Sequence, residues 1–558
     1  MLVLLRGGRR WIVRGAVPIQ LSKVMYMKLN LSSLSHASDY EAAGIQVPAF
    51  DVAATQERAR TNPRWVHIGP GNIFRIFLAR IADDMLADGK YWPITGVVPM
   101  DPAEMEKQLE AFDLLTLGVI LSGDKRDTRV IAGLADGLAT RRDGDFDRLV
   151  SIFTKPEMTT VTLTITEKGY VIQDSQGELS EATRADIASD PYANHANTMA
   201  LLAGLLAHRY QAGGAPINFI SADNFSHNGD KLRDSVLQIA RGWVERGALS
   251  QDFLDWVSDD TKVAFPISVI DKITPRPSEE VSEYLTGLGF TDMGIDHLGR
   301  TPIAGFVNAE PTEYLIIEDK FAAERPPFED YGVYITDRET CDKFERMKVT
   351  TCLNPLHTAL AVSGTVMRFP TIDSEMRDPD LAKMVNILAY DEAMPVVTDP
   401  GIIDPKDFVR EVLEERFPNS ALPDNPARIA MDTSQKIPIR FGVTLQEYQR
   451  RGLDMDKLRV IPLVFAVWAR YLLGIADDGE EFAPSSDPLL EELQGHLKGI
   501  KLGDSVDAHA VLKPILSNAN IFGLDLYTTP LAEKVEALFT KLIAGPGAVR
   551  ATIHEEIN

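Results

Sequence analysis

The first half of the chain alternates short apolar segments with amphipathic ones. The segments "RWVHIG", "WPITGVV" and "PINFISADN" each predict a buried strand. After the first of them, "IFRIFLARIADDML" places Ile73, Phe77 and Ile81 four residues apart and predicts a helix that ends at Gly89. A longer strand is predicted over "MTTVTLTITEKGYVI" and a second helix over "DKLRDSVLQIARGWVERG". Strands and helices that alternate in this way indicate βαβ units and a mostly parallel sheet.

From about residue 340 the pattern becomes helical, as in "PDLAKMVNILAYDEAM" and "TPLAEKVEALFTKLIAG". The longest apolar run, "VIPLVFAVWARYLLGI", is shorter than the roughly 20 residues of a membrane span and contains Arg470, so it predicts a buried core helix. The predicted fold class is an α/β domain followed by a mainly α-helical domain. We expect a disordered extension over residues 1–27, the α/β domain over 28–338 and the helical domain over 339–558.

Composition narrows the possible partners. The 558 residues are too many for one hydrophobic core. With 57 basic and 81 acidic residues the formal charge is −24, which would repel nucleic acids and anionic membrane surfaces. We therefore expect a small-molecule partner, no nucleic acid and no membrane. The two cysteines, Cys341 and Cys352, are too few for a disulfide framework and favour the cytoplasm. No HExxH or CxxC pattern occurs, so no metal site is predicted.

A glycine pair marks a candidate nucleotide loop. In "VHIGPGNIFR", Gly69 and Gly71 lie between the first strand and its helix, where glycines let the backbone approach a pyrophosphate. The third glycine of the usual fingerprint is missing, so a plain tight turn is the alternative. After the next strand, Asp101 is the nearest acid for the adenosine ribose, which leaves NAD versus NADP open. The candidate cofactor contacts are Gly69, Gly71, Asn72, Ile73, Phe74, Arg75 and Asp101.

Three further segments carry polar residues with two possible uses each. Asn224 in "ISADNFSHNGDKL" follows a strand, where open α/β sheets bind ligands, but a turn or helix cap would use it equally well. Asp271 and Lys272 in "FPISVIDKITPRP" fit either a ligand site or ion pairs. Arg428 and Lys436, eight residues apart, could bind substrate oxygens or lie in solvent.

The segment "ERMKVTTCLNPLHTALAVSG" contains the strongest candidate chemistry. A lysine such as Lys348 in a dry cleft can act as an acid and base near neutral pH. Asn354 offers donors to an oxygen that gains negative charge, and His357 can fix that geometry or donate to a hydroxyl. Asn354 also precedes Pro355, which is the arrangement expected of a helix N-cap. Cap and catalyst are compatible readings.

Together these segments resemble the mannitol dehydrogenase family, over nearly the whole chain after about residue 28. "HIGPGNIFR", "TITEKGY", "ADN", "FPISVIDKITP" and "MKVTTCLNPLHTAL" follow the family's order and approximate spacing. The resemblance implies a Rossmann-like domain, metal-independent chemistry and NAD as cofactor, with NADP not excluded. It implies that Lys348 is the acid and base, and that Asn224, Asn354 and His357 bind the reacting oxygen. Glu345 matches a glutamate of the proton path, and Asp271, Arg428 and Lys436 match substrate-contacting positions.

The spacing departs from the family at one point. The family pattern is Lys-x4-Asn-x2-His, whereas Lys348 and Asn354 here are separated by five residues. A bulge would absorb the extra residue, but a regular helix would turn Lys348 by roughly 100° relative to Asn354.

The resemblance also implies a reaction. The expected activity is reduction of a keto-uronate, D-fructuronate to D-mannonate. A mannitol or arabinitol dehydrogenase, a tagaturonate reductase and an epimerase that retains its nucleotide are the alternatives. The expected partner is a sugar acid or polyol, and the expected assembly is a monomer or homodimer.

Overall fold

The structure, a computed structural model, describes residues 27–558. The extension predicted over residues 1–27 lies outside this range except for Met27. Met27 forms a parallel bridge with Phe290, so the prediction is wrong at that residue. The predicted boundary between residues 338 and 339 stays a prediction, and a helix begins close to it, at Arg338.

Fourteen strands occur in the described part of the chain. They are β1 Trp65–Ile68, β2 Ile94–Val98, β3 Thr116–Ser122, β4 Lys125–Ile131, β5 Leu134–Ala139, β6 Thr160–Leu163, β7 Ile217–Ser221, β8 Val263–Ala264, β9 Ser268–Asp271, β10 Asp296–Leu298, β11 Thr301–Ile303, β12 Phe306–Ala309, β13 Tyr314–Glu318 and β14 Tyr334–Thr336.

The main sheet has six parallel strands in the spatial order β5-β2-β1-β6-β7-β8. Counted along the chain this order is 3-2-1-4-5-6, the doubly wound arrangement that binds dinucleotides where the order reverses. The reversal lies at β1, where Trp65 pairs with Ile94 of β2 and with Thr160 of β6. All residues of β1, β2, β6 and β7 are buried, as expected of strands covered by helices on both faces. The α/β prediction is confirmed.

Two smaller sheets adjoin the main one. The first has the order β12-β3-β4, and the second has the order β14-β13-β9, in which Tyr314 pairs with Asp271. β10 and β11 form a separate hairpin. The second small sheet matters most for the site because β9 ends at Asp271.

Helices before residue 330 flank these sheets. They are α1 Leu31–Leu34, α2 Ala37–Ala42, α3 Val52–Thr61, α4 Ala79–Ala87, α5 Pro102–Glu104, α6 Asp145–Phe153, α7 Glu181–Ala188, α8 Thr198–Gln211, α9 Asn228–Glu245, α10 Gln251–Ser258 and α11 Glu279–Gly287.

The rest of the chain is mainly α-helical, as predicted. Its helices are α12 Arg338–Met347, α13 Asn354–Val366, α14 Ile372–Met376, α15 Pro379–Ile387, α16 Pro405–Glu411, α17 Pro426–Ile429, α18 Thr433–Ile437, α19 Val443–Arg451, α20 Val460–Leu472, α21 Leu490–His496, α22 Ala508–Leu516, α23 Ala519–Phe522, α24 Leu531–Leu542 and α25 Ala548–Ile557.

Several helices contain a π-helical turn, in which each N–H bonds five residues back. Among the described residues these turns are Phe74–Leu78, Met105–Leu109, Lys348–Cys352, Leu388–Ala393, Val412–Arg416 and Pro438–Gly442. Short 3₁₀ turns lie at Glu110–Phe112, Glu167–Tyr170, Phe328–Tyr331, Met394–Val396, Met455–Lys457 and Leu526–Thr528.

One cluster of buried apolar side chains fills the helical part and extends to Val269 of β9 and Ile316 of β13. α20 is buried along its whole length, including Arg470, whose guanidinium donates to the carbonyls of Leu542 and Ala476 at 3.2 and 3.1 Å. The prediction of a core helix is therefore confirmed. No described helix has the length and apolar character needed to cross a membrane.

The strand predicted over residues 158–172 is shorter than expected. β6 ends at Leu163 because the carboxylate of Asp223 accepts the N–H groups of Ile165 and Thr166, both at 2.9 Å. Thr166 has a positive φ of 64°, which no strand residue adopts. Asp223, which follows β7, therefore binds the backbone N–H groups that would otherwise continue the β6 ladder.

Glu392 anchors the N-terminus of α20. Its buried carboxylate accepts the backbone N–H groups of Arg459, Val460 and Ile461 at 2.7, 2.7 and 2.8 Å. A carboxylate at this end also interacts favourably with the helix dipole.

We expect Glu392→Ala to lower stability by about 3 kcal/mol because three buried N–H groups would lose their acceptor. That corresponds to a Tm roughly 5–10 °C lower for the transition of the helical part. Thermal unfolding followed by circular dichroism measures the change, with the exposed Glu283 on α11 as the matched Glu→Ala control. Equal Tm values for the two variants would contradict the anchoring role.

Candidate active site

The loop after β1 has the geometry of a nucleotide cradle. Gly69 has a φ of +81°, and a Cβ there would lie 2.5 Å from the Thr164 carbonyl oxygen, so no other residue fits. Gly71 differs, because a Cβ at its position would meet nothing closer than 3.9 Å. The side of Gly71 facing away from the protein is therefore open to a ligand. The first glycine shapes the turn, and the second leaves room for close approach.

The missing third glycine is replaced by Phe74, which is buried and stacks on His67 with ring centroids 3.9 Å apart. The helix begins two residues earlier, at Asn72, and passes into the π-helical turn Phe74–Leu78. Next to it, buried Arg75 donates to Asn72 Oδ1 and to the Ala304 carbonyl, both at 2.9 Å. The hydrogen bonds of Arg75 thus connect Asn72 of the loop to the Ala304 carbonyl and fix the loop on its protein-facing side.

Asp101 lies three residues after β2 and is exposed. Its Oδ1 accepts the N–H of Ala103 at 3.0 Å and caps the short helix α5. The residue lies beyond the carboxyl end of β2, next to the strand that carries the loop, which is where a ribose-binding acid is needed.

Lys348 is a lysine whose side chain is buried, with the residue only 4% exposed. Its Nζ donates to Asn224 Oδ1 at 3.3 Å and to the Ile270 carbonyl at 3.1 Å. Burial lowers the pKa of Lys348 below its ordinary value; the charge of Asp271 opposes this shift, Arg416 adds to it and Glu345 opposes it. The structure therefore brings together Lys348 and Asn224, which are 124 residues apart.

The extra residue before Asn354 lies in a π-helical turn. Lys348–Cys352 forms that turn at the end of α12, and the Leu353 N–H bonds to the Lys348 carbonyl at 3.1 Å. A π-turn accommodates one residue more than an α-turn, so the inserted residue need not rotate the lysine. Of the two expectations, the bulge is the one observed.

Asn354 does not cap α13. The N-cap position is Leu353, which has φ −130° and ψ −63°, and no side chain accepts a bond there; Asn354 is already the first residue of α13. The cap reading is wrong for this reason. The half-buried amide of Asn354 makes no hydrogen bond to another described residue and is available to a ligand.

His357 lies one turn further along α13. Its Nε2 is 3.4 Å from Asp424 Oδ2, and its ring packs against Phe417 with centroids 5.1 Å apart. Burial lowers the pKa of His357 although Asp424 opposes the shift, so the imidazole is neutral at pH 7.

Asp271 is held by an arginine. Arg416, with a side chain 3% exposed, places Nη1 and Nη2 2.8 and 3.1 Å from the Asp271 carboxylate. The same guanidinium binds Glu310 through Nε at 3.0 Å and Nη2 at 2.9 Å. Burial opposes the charge of Asp271, but Arg416 and then Lys348 outweigh it and hold the pKa of that carboxyl below its ordinary value. Lys272 is also ion-paired, 3.0 Å from Glu313.

The predicted cations Arg428 and Lys436 lie on the His357 side of the site. Arg428 is 65% exposed and donates to Asp424 Oδ1 through Nε at 3.0 Å and Nη2 at 2.6 Å. Lys436 donates to the carbonyls of Ile429, at 3.1 Å, and Met431. Burial lowers the pKa of Lys436, and Arg440 adds to the shift.

Arg440 is a cation that the sequence pattern did not reveal. It lies on the π-helical turn Pro438–Gly442 and donates to Thr358 Oγ1 at 2.5 Å, directly beside His357. Burial lowers its pKa to about 10. Within residues 27–558, neither Arg440 nor Lys436 contacts a carboxylate.

Glu345 precedes Lys348 by one helical turn on α12. Its Oε2 accepts the hydroxyl of Ser226 at 3.1 Å, next to the loop that carries Asn224. Across the described chain, no three His, Cys, Asp and Glu side chains are grouped to hold a metal ion.

The sequence reading missed Glu310, Arg416, Asp424 and Arg440. Arg416 and Arg440 stand in charged or mixed helical stretches, which ordinarily indicate a solvated face. Only their tertiary partners distinguish them. The doubly wound sheet, the glycine loop and a buried lysine beside the carboxyl ends of the strands define a nucleotide-dependent oxidoreductase of the Rossmann type.

The chain belongs to the mannitol dehydrogenase family. The mannitol dehydrogenase Rossmann domain matches residues 63–330, and the mannitol dehydrogenase C-terminal domain matches residues 340–543. The chain is 44% identical to the D-mannonate oxidoreductase of Thermotoga maritima, over 95% of this chain and 99% of that protein. It is 30% identical to a mannitol 2-dehydrogenase of Phaeosphaeria nodorum, over 84% and 77% of the two chains.

A solved relative extends the comparison. The Pseudomonas fluorescens mannitol 2-dehydrogenase, in a ternary complex with NAD and D-mannitol, matches with a TM-score of 0.67 at 27% identity. The match covers 95% of this chain and 99% of that one. The resemblance inferred from the sequence is confirmed.

The two loop glycines are expected to respond differently to substitution. Gly69→Ala should lower stability by about 2 kcal/mol, because it combines a positive φ with a clash. Gly71→Ala should leave the Tm within about 1 °C, since its Cβ would lie no closer than 3.9 Å to any protein atom, yet weaken NADH binding at least roughly tenfold. Thermal unfolding and calorimetric titration with NADH separate the two effects. Unchanged NADH affinity in Gly71→Ala would show that the loop is a plain turn.

Proposed function

We propose that this chain is an NAD-dependent reductase of a keto-uronate, converting D-fructuronate to D-mannonate. The observation that carries the chemistry is the buried Lys348 with its Nζ 3.3 Å from Asn224 Oδ1 at the carboxyl edge of the sheet. The substrate class rests on the 44% identity to a D-mannonate oxidoreductase along almost the whole of both chains.

The loop after β1 fits NAD. The strained Gly69 and the open side of Gly71 provide the turn and the clearance that a pyrophosphate needs. Asp101 follows the neighbouring strand and would bind the ribose hydroxyls, and Asn72 and Arg75 hold the loop in place. A nicotinamide cofactor held there in its reduced form would supply the hydride for the substrate carbonyl carbon.

Lys348 is arranged to move a proton in either direction. Its Nζ has two protein acceptors, so an ammonium keeps a third N–H for the substrate oxygen. In ketone reduction this proton passes to the oxygen as the hydride reaches the carbon, and Lys348 is left neutral. The neutral amine keeps both protein hydrogen bonds and offers a lone pair, which suits it to take the alcohol proton in the reverse reaction.

The amides of Asn224 and Asn354 stabilise the same oxygen. Because Asn224 Oδ1 accepts from Lys348, its NH₂ group is free to face the substrate. Asn354, without a protein partner among the described residues, supplies the second donor. Neutral His357 binds a neighbouring hydroxyl, oriented by Asp424. Glu345 and Ser226 form the outer part of the proton path to Lys348.

Lys436 and Arg440 are proposed to bind the uronate carboxylate. Both are partly buried, Arg440 lowers the pKa of Lys436, and the hydrogen bonds of both cations go to neutral oxygens. A partly buried cation without a counter-charge favours binding of an anion. Arg428, already paired with Asp424, is left for the distal hydroxyls, and Asp271, paired with Arg416, acts on Lys348.

A polyol 2-dehydrogenase is the second candidate, favoured by the 30% identity to a mannitol 2-dehydrogenase. Reduction of tagaturonate and epimerisation with retained nucleotide stay alternatives from the sequence. The cytoplasmic location and the monomeric or dimeric state also stay predictions.

Following nicotinamide absorbance with D-fructuronate, D-tagaturonate and D-fructose tests the proposal. We expect D-fructuronate to be the preferred substrate. Lys348→Met should lower kcat by at least about 100-fold, since general acid catalysis contributes that much. The exposed Lys498→Met is the matched control and should retain wild-type rates. Preference for D-fructose would replace the uronate assignment by the polyol one, and full activity in Lys348→Met would remove the lysine from the mechanism.

Removing a substrate-binding cation should affect KM more than kcat. We expect Arg440→Met and Lys436→Met each to raise the KM for D-fructuronate by about 10–100-fold, the value of one charge-assisted bond, with kcat changed only a few-fold. The exposed Arg450→Met controls for loss of surface charge. An unchanged KM in both variants would place the carboxylate elsewhere.

A further inference from the structure

We propose that Arg416 is a positioning residue: by clamping Asp271 and Glu310 behind Lys348, it sets the pH range over which the enzyme works. This inference rests on the proposed acid–base function of Lys348. It adds a residue that neither the sequence pattern nor the family resemblance singled out.

The first step is the geometry of the clamp. Arg416 ends the π-helical turn Val412–Arg416, while Asp271 ends β9 and Glu310 follows β12. Four N–H···O contacts of 2.8 to 3.1 Å connect the guanidinium to the two carboxylates. The planar fork of an arginine can hold two carboxylates at once, whereas a lysine ammonium has no such fixed geometry.

The second step is the charge balance. Asp271, Glu310 and Arg416 together carry one negative charge, and protonated Lys348 brings the sum of these four groups to zero, with Glu345 as a further negative group that acts on the lysine. Without Arg416 the carboxylate of Asp271, together with Glu345, would act on Lys348 with no opposing cation and would keep the lysine protonated to higher pH. With Arg416 in place, the neutral amine required for alcohol oxidation becomes accessible nearer to neutral pH.

The third step is the mechanical connection. The Ile270 carbonyl that accepts from Lys348 immediately precedes Asp271, so the clamp also fixes one of the two acceptors of the lysine. Phe417, the residue after Arg416, packs on the ring of His357. One short segment therefore holds both the lysine side and the histidine side of the candidate site.

Other charged groups surround the clamp and must be counted. Glu345 on α12 acts on Lys348 in the same direction as Asp271. Lys272, adjacent to Asp271, is paired with Glu313, which also binds Arg80. Beside β13, Glu411 accepts the hydroxyls of Thr312 and Tyr314. The variants described next leave all of these groups in place.

Two substitutions that remove opposite charges from the clamp should shift the pH profile in opposite directions. Oxidation needs neutral Lys348, so its kcat/KM rises with pH through the apparent pKa of the lysine. Arg416→Gln exposes Lys348 to unbalanced carboxylates and should move that limb by about 1 unit or more toward alkaline pH. Glu310→Gln removes one of the two negative charges that balance Arg416. It should move the kcat/KM limb toward acid pH, by a smaller amount.

The experiment measures kcat/KM for NAD-dependent oxidation of D-mannonate across pH, for wild type and both variants. If the polyol is the preferred substrate, its oxidation is measured instead. Arg410→Gln, which removes an exposed guanidinium from the adjacent helix α16, is the control and should leave the limb in place. Arg416→Lys keeps the charge and should return the limb toward its wild-type position while kcat stays low.

Opposite shifts support the proposal. Loss of activity in Arg416→Gln and Glu310→Gln with no movement of the limb would overturn it, because a purely structural clamp has that result. Should Arg416→Gln fail to fold, Glu310→Gln alone tests the proposal. A shift of its limb toward acid pH supports the proposal, and no shift or an alkaline shift contradicts it. Failure of the underlying function is distinguishable: Lys348→Met would then keep the wild-type pH limb, whatever the clamp variants do.

Discussion

Lys348 has its ammonium out of water, and much of the architecture around it follows from that constraint. A buried charge is stable only where neighbouring groups supply compensating charge and hydrogen bonds. Here the compensation comes from β9, from the residue after β12 and from a π-helical turn more than a hundred residues later. These segments meet where the helical core reaches Val269 and Ile316, so apolar packing brings the strands and helices together at the place where the charges must balance.

The π-helical turns show how helices were adapted to that task. Lys348, Arg416 and Arg440 each lie on one, and the helix after the glycine loop contains another in its first turns. A π-turn inserts one residue into a helix without breaking it, and such turns are frequent at functional sites. The inserted residue between Lys348 and Asn354 is therefore compatible with the family's arrangement of lysine and asparagine. Asn354 is no cap because Leu353 occupies the N-cap position and Asn354 is already the first residue of α13.

Much of the fold could be predicted because its signals are local. The strand–glycine–helix unit at Gly69, the buried helix around Arg470 and the change to helical periodicity near residue 340 are all visible within short windows. The placement of Asn224 at the carboxyl edge of the sheet follows from βαβ topology. Its contact with Lys348, 124 residues away, came only from the family resemblance, since spacing carries no information over that distance.

Arg416 shows where prediction from the sequence stops. The run "VLEERF" looks like a solvated helical face, yet its arginine is buried between two carboxylates from other segments. Likewise, nothing near Thr166 signals that Asp223 will terminate β6. In both cases the local structure depends on a side chain from a distant segment. Hydrophobic periodicity within one short window carries no information about such a contact.

The two ends of the site differ in how their charges are compensated. Around Lys348, positive and negative groups are closely matched, so small changes in protonation are possible there at moderate cost. Around His357, the cations Lys436 and Arg440 donate hydrogen bonds to neutral oxygens and to no carboxylate of the described chain. A chain with a net charge of −24 can therefore attract an anionic sugar, because at such short range the field is set by the nearest desolvated groups rather than by screened surface charge. The surroundings of Lys348 therefore suit proton transfer, and the surroundings of Lys436 and Arg440 suit binding of a carboxylate.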